Sequence, residues 1–245
     1  MARKSDCMFS TEAEEWLRHL SPELKASSEG RYRNILYNHL LPVFGTRYIT
    51  EITWTRAEAF RQQLLQQEPP LSPRTVAGIL SVLKRVLNYA FKNSGQPPAD
   101  LSGLTVRQTS KPLRVLTLEE QQRLTRYLLQ RKTLPGAGML LSLYTGLRIG
   151  EICALKWESI SFEENCLYVQ KTMQRVQIIP ERNLGLKTDS ARTAIMINAP
   201  KSACSNRTIP LPDLIAEGLK PLSAPPECYF LTGQPYRFME PRTLE

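Results

Sequence analysis

Histidine is almost missing from this chain. His19 and His39 are the only two in 245 residues, and none follows residue 39. Chemistry that depends on an imidazole, as metal ligand or proton relay, is excluded from everything after that point. The five cysteines (Cys7, Cys153, Cys166, Cys204 and Cys228) are scattered and form no C-x-x-C, which argues against zinc and dithiol redox motifs. They read as reduced thiols of a cytosolic protein. No apolar run approaches the ~18 residues of a membrane span. Met1-Ala2-Arg3-Lys4-Ser5-Asp6 has no apolar stretch behind its charges, so no secretory leader is expected and a cytoplasmic location is. Acidic residues are the scarcer charge: 23 Asp and Glu stand against 32 Lys and Arg, a net charge of +9. That excess favours a polyanionic partner, nucleic acid first and a membrane surface second.

What is present suffices for one large or two small domains, each with its own core. Four helices can be drawn in the first hundred residues. Thr11 with Glu14 makes a capping box before an apolar stripe of Ala13, Trp16, Leu17 and Leu20. A second helix runs from about Ser28 to Leu41, ended by Pro42 and Gly45. Thr55 with Glu58 caps a third, with Ala59, Phe60 and Leu64 inward. Ser72-Pro73 opens the fourth, serine as N-cap and proline at the first helical position.

The fourth helix is the informative one. Val76, Ile79, Leu80, Leu83, Leu87 and Ala90 make its buried face, and Arg74, Gly78, Ser81, Arg85, Asn88 and Lys92 repeat on the other. Basic ends with small residues between them suit a helix that lies close to a phosphate-lined groove. A plain solvated face reads equally well. The second helix has a similar outer face in Arg31, Asn34 and Asn38. Residues 101–113 lack periodicity and read as a linker between a helical domain (1–100) and a second domain (114–245).

In the second domain, Thr117-Leu118-Glu119-Glu120 is a capping box. The centre of the chain is Tyr144-Thr145-Gly146-Leu147-Arg148-Ile149-Gly150-Glu151-Ile152-Cys153-Ala154-Leu155. Thr145-Gly146 is a turn between two buried helices. Arg148 falls where they meet, one helical turn from Glu151. Either the two form an ion pair that fixes a helix start, or Arg148 is held for an anionic ligand with Glu151 orienting it. From Ser161 onward the sequence turns to strand character. Cys166–Lys171, Gln174–Ile179, Ala194–Asn198 and Arg207–Ile209 are expected strands, and Pro180–Ser190 a long loop. A short helix is expected over Pro212–Lys220 and a short strand over Cys228–Leu231.

The box T-G-x-R-x-x-E-x-x-x-L resembles the first active-site box of the tyrosine recombinases, the phage-integrase family. The order helix, Y-x-x-x-L-x-x-H-L-x-P-x-F-G, helix, S-P-x-T-V, helix is similar to that family's core-binding domain, in which His39 is a packing residue. Lys156-Trp157-Glu158-Ser159-Ile160 is similar to L-x-W-x-D-I, with serine for aspartate. Lys201-Ser202-Ala203-Cys204-Ser205-Asn206-Arg207-Thr208-Ile209-Pro210-Leu211 resembles the β-hairpin K-T-x-x-S-x-R-x-I-P-L. Lys187-Thr188 fits it less well. The longer insertion before Lys201 is similar to that of conjugative-transposon integrases.

The resemblance implies an α+β fold, mainly α with a small β-sheet: a helical, SAM-like core-binding bundle followed by a truncated catalytic domain. It implies catalytic roles for Arg148 and Lys201 with Glu151 in support, and DNA contacts from Arg31, Asn34, Arg74, Ser81, Arg85 and Arg207. Lysine at a hairpin tip would protonate the leaving 5′ oxygen. The implied partner is double-stranded DNA, with no metal, nucleotide cofactor or membrane. The second box, H-x-x-R, and the tyrosine nucleophile have no counterpart in these residues. Tyr229 and Tyr236 are preceded by no such box and are not read as the nucleophile. The expectation is therefore a recombinase of a mobile element that binds DNA and does not cleave it. The alternatives are a competitor or partner of an intact recombinase protomer, and a non-catalytic protein-interaction remnant.

Overall fold

Trp16, Leu17, Val76, Leu83 and their like recur at helical spacing, and a bundle follows from them. The structure, a computed structural model, describes residues 7–94, 100–108, 112–177, 193–199 and 205–244. These fall into two compact units that divide between Pro112 and Leu113, with Gln177 grouped with the first.

In the first unit α1 (Phe9–Leu20) buries Phe9, Ala13, Trp16 and Leu17. It starts two residues before Thr11, so the Thr11–Glu14 capping box does not form. Its leading N–H groups are satisfied by backbone instead: Phe9 donates to the Arg47 carbonyl at 2.8 Å and Ser10 to that of Gly45 at 3.2 Å. The second helix does not stop at Pro42. α2 (Ala26–Ile35) passes through a π turn, Leu36–Leu40, into α3 (Leu41–Phe44). Proline donates no N–H and its ring crowds the carbonyl four residues back, so the widened turn lets it sit at the start of α3.

α4 (Trp54–Gln66) is preceded by Thr53 rather than Thr55 as N-cap, and Glu58 is taken by Arg61, whose Nε donates to it at 2.7 Å. Its inward residues are Ala57, Phe60 and Leu64, and Ala59 is exposed. α5 (Pro73–Ser94) starts as expected, the Thr75 N–H donating to Ser72 Oγ at 3.1 Å. The six expected core residues of α5, Val76 through Ala90, are all buried. The Phe44 ring meets Phe60 edge-on at 5.0 Å, and Phe9 packs on Phe44 at 5.9 Å. Leu101 and Leu104, in the stretch read as linker, are also buried in this core, and Lys84 Nζ donates to the Leu104 carbonyl at 2.9 Å. The packed segment thus runs beyond residue 100, because two leucines at i, i+3 gain by burial what a solvated linker would forgo.

The second unit opens with α6 (Leu118–Arg131), whose capping box is complete: Glu120 N–H donates to Thr117 Oγ1 at 3.2 Å, and Thr117 N–H to Glu120 Oε2 at 3.0 Å. α7 (Leu134–Thr145) and α8 (Ile149–Ala154) follow. Strands β1 (Ile160–Ser161), β2 (Cys166–Val169) and β5 (Arg207–Pro210) form an antiparallel sheet in the order β1-β2-β5, with Val169 opposite Arg207. β3 (Thr172–Gln177) and β4 (Thr193–Asn198) form a separate two-stranded sheet. The last helices are α9 (Asp213–Leu219) and α10 (Pro241–Leu244). Leu141, Ile152, Leu167 and Phe230 lie at the centre of the core, with Trp157 against Phe230 at 4.8 Å.

Among the described residues, β4 pairs with β3 and β5 with β2. One strand expectation needs correction. Cys228–Leu231 is not a strand. Tyr229 makes only single bridges, to Lys156 and Gln234, while Cys228, Phe230 and Leu231 are buried in a turn. Lys201 and Ser202 themselves lie outside the described residues, as do the Pro180–Ser190 loop with Lys187-Thr188 and the start Met1–Asp6.

Candidate functional site

The site is set by how one helix ends and the next begins. Gly146 caps α7 in the left-handed region, φ +65°, and its N–H donates to the Ser142 carbonyl at 3.0 Å. Glycine alone enters that region at no steric cost. The chain reverses, Leu147 is buried, and Arg148 becomes the extended N-cap of α8 (φ −73°, ψ 150°). Glu151 stands three residues into the helix and reaches back. Its Oε2 accepts the Arg148 backbone N–H at 3.0 Å and its Oε1 accepts Arg148 Nη1 at 2.9 Å.

The ion pair that spacing suggested is therefore real, but it is not the whole arrangement. Arg207, on β5, also grips Glu151: Nη1 donates to Oε1 at 3.1 Å and Nη2 to Oε2 at 2.9 Å. The family resemblance assigns Arg207 to DNA contact; in the structure two of its nitrogens bond Glu151, in the second unit. The available signal was an acid between apolar residues with a second basic strand residue downstream, but only the β2–β5 register shows which residue arrives.

Glu151 has a side chain only 3% exposed, against 71% for Arg148. Burial opposes its charge, but the N–H donors of Arg207 and Arg148 outweigh that and hold its carboxyl down to about 2. The same pair raises Arg207 above its ordinary value. Cys153, buried next to this turn, is pushed up to about 11 and is a neutral packing thiol at neutral pH. Gly150 explains how α8 lies so near β3. A Cβ there would sit 2.6 Å from the Met173 carbonyl oxygen and 2.8 Å from Thr172 Oγ1. Behind it Arg175 of β3 donates to Glu240, Nη2 to Oε1 at 2.6 Å, and to Thr193 Oγ1 of β4 at 2.9 Å, so both strands are tied to the segment before α10.

In the first unit, Arg74, Ser81 and Arg85 of α5 and Arg31 and Asn34 of α2 are all exposed. Arg31 and Arg85 each meet the facing helix. A Cβ on Gly78 would lie 3.1 Å from Arg31 Nη2, so the missing side chain makes room for that guanidinium. Arg85 Nη1 donates to Tyr32 Oη at 2.7 Å, its Cζ 5.9 Å from the ring, and Tyr32 in turn packs on Trp16 at 5.4 Å. The result is a basic face on which Arg85 is held by Tyr32 and Arg31 lies beside Gly78. His39 is half-buried, as a packing residue should be.

The chain thus pairs a helical bundle with an α+β unit built around T-G-x-R-x-x-E. The family model described as "Phage integrase, N-terminal SAM-like domain" matches residues 8–65, and that described as "Phage integrase family" matches residues 114–215. The chain belongs to the phage integrase family, the tyrosine recombinases. It is 30% identical over 199 residues to a protein described as tyrosine recombinase XerC-like from Caldanaerobacter subterraneus subsp. tengcongensis, covering 78% of this chain and 48% of that one. It is 24% identical over 164 residues to an integrase from Saccharopolyspora erythraea, covering 65% and 37%. The chain thus spans about half the length, or less, of these curated relatives.

Among solved structures, a Tn1549 transposon integrase in complex with a circular intermediate DNA superposes with a TM-score of 0.73 at 16% identity, over 96% of this chain and 74% of that one. A lambda integrase tetramer bound to a Holliday junction gives 0.55 at 16% identity, over 67% and 46%. At these identities the likeness is one of fold. No helix of the described residues is long and apolar enough to cross a membrane.

Proposed function

We propose that this chain takes part in site-specific DNA recombination, the integration or excision of a mobile element, and that double-stranded DNA is its partner. The observation that carries this reading is the exposed Arg148 guanidinium, anchored by one nitrogen on a buried carboxylate and otherwise turned to solvent. A cation so fixed suits a phosphodiester: it holds a non-bridging oxygen as negative charge develops there. Glu151 orients it. Lys201, in the segment before β5, is the proton donor to the leaving 5′ oxygen. Residues 1–100 serve as the core-type DNA-binding domain, with Arg31, Asn34, Arg74, Ser81 and Arg85 toward the duplex, and residues 114–245 as the amino-terminal part of the catalytic domain.

These 245 residues supply neither H-x-x-R nor a tyrosine nucleophile in its context, and covalent catalysis needs a nucleophile. Taken alone they bind DNA without turnover. In that capacity the chain competes for core sites with an intact recombinase protomer. A nicked suicide duplex tests this. The expected result is retardation of the DNA with no covalent adduct on a denaturing gel. An adduct formed by these residues would overturn the non-catalytic reading, and absence of any DNA binding would favour a protein-interaction role.

A further inference from the structure

Glu151 accepts four N–H groups: the backbone and Nη1 of Arg148 at 3.0 and 2.9 Å, and Nη1 and Nη2 of Arg207 at 3.1 and 2.9 Å. Two carboxylate oxygens offer about four lone-pair sites, so the group is saturated. The order of contacts matters. Arginine prefers to meet a carboxylate through two parallel N–H bonds. Here Arg207, from β5, takes that forked position, and Arg148 is left with one side-chain contact. One carboxylate faces two guanidinium groups, so the cluster keeps a net positive charge. Arg207 neutralises Glu151, and the charge of Arg148 remains for a ligand.

We infer that Arg207 is a positioning residue for Arg148: by occupying the forked face of Glu151 it keeps Arg148 from collapsing onto that carboxylate and turns its guanidinium outward. This rests on the reading of Arg148 as a phosphate ligand. Without Arg207, Glu151 has Arg148 as its only guanidinium partner. The two then close into a forked pair, which removes both terminal nitrogens of Arg148 from solvent. The carboxyl also loses its stronger partner while its burial persists, so it takes up a proton more readily. Glu151 also lines a cavity of about 160 Å³, with Lys156, Glu158, Tyr168 and Lys171 among its described charged or titratable neighbours there. None of the described contacts of Glu151 is with any of these four.

The test uses the whole 245-residue chain and inorganic phosphate as probe. The Arg148 Nε–H resonance and the Glu151 carboxyl carbon are followed by NMR in the wild type, Arg207→Gln and Arg207→Lys. Expected in the wild type is a phosphate-dependent shift of Arg148, with Glu151 ionised throughout about pH 5 to 8. In Arg207→Gln the phosphate affinity reported by Arg148 falls about tenfold and Glu151 titrates at higher pH. Arg207→Lys, which keeps the charge and loses the fork, lies between them. Unchanged Arg148 and Glu151 signals in either variant would overturn the inference, and if the glutamine variant does not fold the lysine variant decides. Failure of the wild-type chain to bind duplex DNA, with the variants behaving as described, would refute the recombinase reading and leave the positioning role of Arg207 standing.

Discussion

Replacing Glu151 with alanine is expected to destabilise the second unit by about 3 kcal/mol, a large part of an ordinary domain's stability. Two losses add. The Arg148 N–H at the head of α8 loses its cap, worth about 1 kcal/mol. Arg207, whose side chain is 29% exposed, is left as a half-buried cation without its forked partner. Arg148, at 71% exposure, contributes little because water takes the carboxylate's place. The pH dependence gives an independent measure. Folding lowers the Glu151 carboxyl from an ordinary 4.5 to about 2. A group depressed in this way stabilises the fold above its unfolded value and loses that contribution as pH falls through the folded one. Between about pH 4.5 and pH 2 the wild type should therefore lose roughly 3 kcal/mol from this residue alone. Urea unfolding of the wild type and Glu151→Ala at pH 7 and pH 3 checks both. The variant should be weaker at pH 7 and should lose less on acidification. Parallel losses in the two proteins would show that the buried carboxylate is not what the acid limb reports.

Gly150→Ala is the second large effect, and its sign is informative. Inside a helix, alanine stabilises relative to glycine by about 1 kcal/mol. Here the added methyl meets the Met173 carbonyl at 2.6 Å and Thr172 Oγ1 at 2.8 Å. A strand backbone has little room to yield, so α8 must move away from β3, at about 1–3 kcal/mol. Overpacking should win, and Arg148, two residues away at the helix head, should move with it. Thermal unfolding would show a lower midpoint, and the phosphate response of Arg148 would weaken beyond what the stability loss explains. A raised midpoint would mean that α8 and β3 are not in the close contact described.

Much of this was legible in the chain because local signals agreed. Ser72-Pro73 and Thr117-x-x-Glu120 named their helix starts, and the inner stripe of α5 was right at every position. The box around Arg148 gave the turn, the helix start and the ion pair. Residues distant in sequence decided most of the misses, and a local π turn decided one. Thr11 lost its capping role because the backbone around Gly45 and Arg47 supplied the acceptors first. Pro42 did not end its helix because a π turn absorbed it. Leu101 and Leu104 left the linker because the bundle had space for them. The partner of β5 could not be read from the chain, because β2 lies more than thirty residues upstream. Arg207 on Glu151 is the functional counterpart of that same pairing. It could be seen only after the sheet register was known.

The proposal that this chain grips duplex DNA through phosphates stands or falls on the salt dependence of binding. Fluorescence anisotropy of a labelled duplex over a range of salt should give a steep, linear fall of log affinity with log salt. Each phosphate contact contributes about 0.9 to that slope. With Arg31, Arg74 and Arg85 all changed to alanine, the slope should shrink by up to about 2.7 and affinity should fall on every sequence. Binding that ignores both salt and these three arginines, or no binding at all, would contradict it.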